Sequence, residues 1–192
     1  MNIEFYKKFS SLVTISENNN INDEELLWKL PNNIERFNEI TFGKIIIMDK
    51  ESYLTLNKPF SNRINIVICG DDVNYIHQHE SILTSNTGLI KLRSEEETIE
   101  FIYNFEKSKS DGHEVSNRFN TNEFIIIGKK SHEYFLPYIN KIYITKIDTN
   151  IDGVEFPDIS NYDWKLLKNK KNKKDYNHKY DYSFLDIEKY EN

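Results

Sequence analysis

FIIIGKKSHEYFLPYINKIYITKID, residues 124–148, follows directly on Glu123 and carries two apolar runs of strand length, one from Glu123 to Ile127 and one from Lys141 to Ile147, around a helical segment, Ser131 to Leu136. Both runs are rich in β-branched residues and neither alternates with polar residues, the pattern of strands buried on both faces. Such strands with helical stretches between them predict a largely parallel sheet, and hence an α/β fold with helices covering both faces of the sheet.

The same kind of run recurs at Leu12 to Ile15, Lys44 to Met48, Ile64 to Ile68 and Leu89 to Leu92, each short and largely continuous. Helices are expected between them at Pro31 to Thr41, Lys50 to Leu56 and Ser94 to Asn104. Pro31 suits a first helical position, and Ser94 followed three residues later by Glu97 is a capping-box spacing. Near the end the character changes. Trp164 to Leu167 and Tyr180 to Tyr190, joined by KNKKNKKDYNHK (168–179), predict an antiparallel hairpin at a sheet edge, with Lys168 to Lys174 as its solvated loop. Residues 104–122 are polar and without periodicity, and are expected to form a surface excursion within a single domain spanning residues 1–192.

A chain of 192 residues, 38% hydrophobic and 14% aromatic, suits one domain with a substantial core. Lys and Arg number 25 against 31 Asp and Glu, a net charge of −6, so neither the balance nor the isolated lysine run suggests a nucleic-acid partner. No apolar run reaches the ~20 residues of a bilayer span, and the first residues lack a secretory signal, so a soluble, cytoplasmic protein without membrane association is expected. The single Cys69 excludes an internal disulfide and reads as a small buried hydrophobe at the end of its strand. His77 and His79 lack a matching cluster of ligands, and no metal site is expected.

Five segments stand in a fixed order: LVTISENNNIN (12–22), LLWKLPNNIERFNEITFGKIIIM (26–48), NRINIVI (62–68), the opening stretch, and FPDISNYDWKLL (156–167). Together they resemble dihydrofolate reductase over most of the chain, from about Leu12 to Tyr190. The resemblance implies a mostly parallel eight-stranded sheet with dihydrofolate in a cleft across its middle and NADPH beside it. It also implies a functional link to a thymidylate-producing enzyme. Carried over by position, the pteridine pocket falls on Trp28, Leu30, Phe37 and Thr145, with Val13 and Thr14 in the first strand. The contact for the substrate's glutamate carboxylate falls on Arg63. Cofactor contacts fall on Ile21, Lys50, Ser52, Cys69, Ile127, Gly128, Lys129 and Lys130. An apolar and aromatic slot suits a flat heterocycle, and a guanidinium pairs with a carboxylate in bidentate fashion.

The chain departs from the family at named positions. Family members carry an Asp or Glu in the first turn of the Pro31 helix, where it holds the pteridine and promotes protonation of the ring nitrogen. Asn33 stands there, placing Asn33 and Trp28 as the catalytic pair without an acid. Glu35 does not replace it: two residues turn a helix by about 200°, whereas Phe37, four residues on, shares Asn33's face. An amide cannot stabilise a protonated pteridine, so impaired or acid-independent turnover is expected, the alternative being a folate- or nucleotide-binding protein with little catalysis. On the cofactor side a glycine pair falls on Ile127 and Gly128. A Gly-Arg-x-Thr pattern falls on Asp49, Lys50, Glu51 and Ser52, which keeps a cation and a hydroxyl but adds anions. Asn22 follows Ile21 where glycine is usual, and Leu27 precedes the tryptophan where proline is common.

Overall fold

The computed structural model describes residues 3–21, 30–56, 58–71, 87–110 and 119–190. In chain order these form α1 (Ile3–Tyr6), β1 (Phe9–Ser16), β2 (Asn20–Ile21), α2 (Pro31–Thr41), β3 (Lys44–Asp49), α3 (Lys50–Leu56), β4 (Ile64–Ile68) and β5 (Gly88–Leu92). There follow α4 (Glu95–Ser110), β6 (Asn120–Ile126), α5 (Lys129–Phe135), β7 (Lys141–Ile147), β8 (Val154–Glu155), β9 (Trp164–Asn172) and β10 (Tyr182–Lys189).

The eight-stranded sheet has the order β5-β4-β3-β6-β1-β7-β10-β9, and β2 pairs with β8 in a separate two-stranded ladder. Every pair from β5 to β7 is parallel, while β10 runs antiparallel to both β7 and β9. The apolar runs explain this division. All residues of β1 and β4 are buried, so both faces of the parallel part must be covered.

Alternation along each strand sorts the core into two layers. Phe9, Val13, Ile15, Ile45, Ile47, Phe124 and Ile126 pack on one face with Ile99 and Ile102 of α4 and Phe135 of α5. Leu12, Ile46, Met48, Val67, Ile125 and Tyr143 pack on the other with Phe37 of α2 and Tyr53 of α3. The Pro31–Thr41 helix has the predicted bounds, with Pro31 in its first turn. The predicted Ser94 cap is present at the start of α4, where Glu97 N–H donates to Ser94 Oγ at 3.2 Å; the Glu97 side chain reaches one residue past the cap, and its Oε2 accepts Arg93 N–H at 2.6 Å.

Two expectations are corrected. Lys168 to Asn172 are strand, not loop, because β9 pairs with β10 as far as Asn172↔Tyr182. An edge strand exposed on both faces shows no apolar periodicity, and lysines suit such an edge because they discourage further pairing. The two ends of the excursion expected at 104–122 are helix and strand, since α4 continues to Ser110 and β6 begins at Asn120, while residues 111–118 lie outside the described residues.

Candidate active site

The inward face of α2 carries Asn33, Arg36 and Phe37, all buried, while Glu35 is exposed as the helical spacing requires. Asn33, 2% exposed, bridges two neighbouring strands. Its Nδ2 donates to Thr14 Oγ1 at 2.9 Å, and its Oδ1 accepts from Thr145 Oγ1 at 2.6 Å. Thr14 and Thr145 are direct register partners in β1 and β7, so strand pairing sets both threonines beneath one helical residue. The start of α2 is fixed from another side. Asn32 N–H donates to His178 Nε2 at 3.4 Å, Asn32 Nδ2 donates to Tyr182 Oη at 2.6 Å, and His178 Nδ1 lies 2.6 Å from Asp175 Oδ1.

One turn further along, Arg36 donates to Asp186 Oδ1 at 2.7 Å and lies 4.4 Å from the centre of the Phe184 ring. Burial lowers its pKa, with Asp186 opposing that shift. Its Nε is buried with no hydrogen-bond partner among the described residues. Below it, Tyr143 Oη and Ser10 Oγ donate to Glu123 Oε1 at 2.8 and 2.6 Å, and Lys44 pairs with Glu123 Oε2. Burial, and then the Glu123 charge, raise the pKa of the Tyr143 phenol. Burial also works against ionisation of Glu123, but hydrogen bonds from Lys44, Ser10 and Tyr143 outweigh it and hold the carboxyl below its ordinary value.

At the far end of α2 a cleft of about 500 Å³ is lined by Asn38, Leu56, Lys58, Phe60, Ser61 and Arg63. Arg63 is itself buried. Its Nε donates to Thr41 Oγ1 at 2.9 Å, Nη1 to the Ser61 carbonyl at 2.6 Å, and Nη2 to Asn38 Oδ1 at 2.8 Å. Burial lowers its pKa.

A second cleft, of about 370 Å³, opens where β3, β4 and β6 end; Asp49, Lys50, Cys69, Gly70, Arg93 and Lys130 are among its lining residues. Gly128 stands at the start of α5 with φ of 84°, a conformation that favours glycine. A Cβ there would come within 2.3 Å of Ser52 Oγ and 2.5 Å of Asp49 Oδ2. Lys130 Nζ pairs with Glu51 Oε1 at 2.6 Å across the cleft mouth, and that hydrogen bond lowers the pKa of Glu51 and raises that of Lys130.

A sequence profile described as dihydrofolate reductase matches residues 8–104 and 93–189. The dihydrofolate reductase of Buchnera aphidicola subsp. Acyrthosiphon pisum is 30% identical over 187 residues, covering 96% of this chain and 97% of its own. The chain belongs to the dihydrofolate reductase family. The Bacillus subtilis dihydrofolate reductase is 28% identical over 168 residues, 87% of this chain and 85% of its own. The fold matches that of Enterococcus faecalis dihydrofolate reductase, solved in complex with NADP(H) and RAB-propyl, with a TM-score of 0.67 over 97% of this chain and 99% of that one, at 16% identity.

Against that family assignment, the positions picked out in the sequence separate into groups. Thr14, Asn33 and Thr145 meet directly, and Phe37 is buried one turn from Asn33. Leu30 packs on Ile147, Tyr182 and Phe184 beside the helix start. Val13 and Ile21 pack in the other core layer, so the side chain of Val13 lies across the sheet from Asn33. Gly128 and Ser52 lie against each other, Lys50, Cys69 and Lys130 line the second cleft, and Lys129 opens α5. Ile127 is buried, with its N–H donated to the Ile47 carbonyl at 2.9 Å, so it extends the sheet. Trp28, Asn22, Leu27, His77 and His79 lie outside the described residues.

Sequence reading missed Arg36, Asn38, Arg93 and His178. Arg36 was within reach of it: three residues after Asn33, it shares the inward face as surely as Phe37 does. His178 meets Asn32 only through the tertiary docking of the β9–β10 turn, which no local pattern announces. Among the described residues no helix is long and apolar enough to cross a membrane, and no group of three or more His, Cys, Asp or Glu side chains gathers to hold a metal.

Proposed function

We propose that the chain reduces 7,8-dihydrofolate to tetrahydrofolate with NADPH, and does so without a side-chain acid in the pteridine pocket. The observation that carries the second half is the environment of Asn33, a buried amide held between Thr14 and Thr145 on the helix face that bears Phe37. An amide there holds a pteridine by hydrogen bonds and supplies no charge to a protonated ring. The nearby carboxylate on α2, Glu35, is exposed and does not serve the pocket.

Phe37 and Leu30 supply the apolar wall against the ring. The cleft at Arg63 suits the benzoylglutamate tail, with a substrate carboxylate replacing the Asn38 oxygen on Nη2, a charged acceptor in place of a neutral one. The second cleft fits a phosphorylated cofactor in its donors, since Lys50, Arg93 and Lys130 line it. When bound, NADPH supplies the hydride. The proton then comes from solvent or from substrate protonated beforehand, so turnover rises as pH falls. The expected link to a thymidylate-producing enzyme follows from the chemistry, because that enzyme returns folate in its dihydro form.

A second reading, a folate-binding protein with little catalysis, is favoured by the same amide. The two separate when NADPH oxidation with dihydrofolate is followed from about pH 5 to about pH 8 alongside dihydrofolate binding. The reductase reading requires turnover that is clear at the acidic end and fades toward neutrality. Substrate binding with no oxidation above background at any pH supports the second reading instead.

A further inference from the structure

At the base of the second cleft, one buried carboxylate serves two helix starts. Asp49 is the last residue of β3 and is 7% exposed. Its Oδ1 accepts Ser52 N–H at 2.8 Å, and its Oδ2 accepts Lys130 N–H at 3.2 Å, so it caps α3 and α5 together. The fit is tight, because Gly128 lies against the same carboxylate without room for a Cβ. Glu51, two residues on, engages the exposed cation of the same turn at 2.6 Å. Asp49 and Glu51 both line this cleft, and their carboxylates already use three donors: two backbone N–H groups and the Lys130 ammonium.

We propose that Asp49 and Glu51 are affinity-determining residues that weaken binding of the cofactor's diphosphate. This rests on the reading of the chain as an NADPH-dependent reductase. A phosphate oxygen and a carboxylate oxygen compete for the same N–H. Anions brought together in a cleft repel, and a displaced Asp49 loses both its charge-assisted hydrogen bonds. The cofactor's hold then depends more on Lys50, Arg93 and the nicotinamide end than on its diphosphate.

The test is fluorescence titration of NADPH into the natural chain, D49S and E51Q, with reduced nicotinamide riboside, which has no phosphate, as the control ligand. Serine keeps a capping hydroxyl for α3 without the charge. Glutamine at the exposed position 51 asks nothing of the core. NADPH should bind about tenfold more tightly to D49S, the scale of one charge-assisted hydrogen bond, and about threefold more tightly to E51Q. The riboside should bind all three chains alike. Should D49S not give a folded chain by circular dichroism, E51Q decides alone. Unchanged or weaker NADPH binding in the folded variants overturns the inference while leaving the reductase reading in place. Failure of all three chains to bind NADPH removes both.

Discussion

Thr145 Oγ1 donates to Asn33 Oδ1 at 2.6 Å, and Asn33 returns a hydrogen bond from Nδ2 to Thr14 Oγ1 at 2.9 Å. The helix that begins at Pro31 is thereby fastened to two adjacent strands through one amide. A carboxylate in its place would have no N–H to give Thr14 and would depend on the two hydroxyls as donors. The pair of threonines thus suits both an amide and an acid, which makes exchange at residue 33 a clean experiment.

Thr145→Val keeps the shape of the side chain and removes its buried hydrogen bond to Asn33 Oδ1. It should cost about 1–3 kcal/mol, read as a lower urea midpoint with unchanged slope, and a melting temperature lower by roughly 2–4 °C per kcal/mol. Thr145→Ser, which keeps the hydroxyl, should recover part of the loss. Equal stability of the valine variant and the natural chain would mean the Asn33 oxygen is satisfied without Thr145.

Gly128→Ala should be costlier. The backbone there has φ of 84°, and the new methyl would meet Ser52 Oγ at 2.3 Å and Asp49 Oδ2 at 2.5 Å. Strain and overpacking together should cost about 2–4 kcal/mol. Because the clash is with Asp49 and Ser52, the double variant carrying Asp49→Gly as well should lose less than the two single losses added together. A double-mutant cycle in denaturant measures that difference.

His132 lies fully buried on α5, with Nδ1 3.3 Å from Ser11 Oγ and its ring against Phe156. Burial lowers its pKa from 6.5 to about 3. Below 6.5 the unfolded chain takes up a proton that the folded chain refuses until about 3, so stability falls as pH drops through that window and is fully present above it. The slope of this contribution approaches about 1.4 kcal/mol per pH unit. His132→Gln should flatten the acid limb of the stability profile; an unaltered limb would show that other groups carry it.

How far the sequence could be read depended on how local each signal was. Pro31 and the inward spacing of Asn33 and Phe37 are properties of one helix, and α2 lies where they indicate. The continuous apolar runs gave the parallel strands for the same reason. β9 was cut short because its second half, exposed on both faces, carries no apolar signal and is strand only through pairing with β10. In the site, the departure at residue 33 is visible in one letter, but the partnership with Thr14 and Thr145 exists only once β1 and β7 are in register. Asp49 is the sharpest example. In sequence it is an anion where phosphate is expected, and in the fold that anion is the cap shared by two helices.

The central claim, that residue 33 holds the pteridine without supplying the acid, is tested most directly by the neutral-pH turnover of Asn33→Asp relative to the natural chain, measured as NADPH oxidation at saturating dihydrofolate. A carboxylate restored between Thr14 and Thr145 should raise that rate by about 10²- to 10⁴-fold, with a much smaller gain at acidic pH, where substrate is already protonated. Equal or lower neutral-pH turnover in the folded Asn33→Asp chain, with dihydrofolate still bound, would contradict the account.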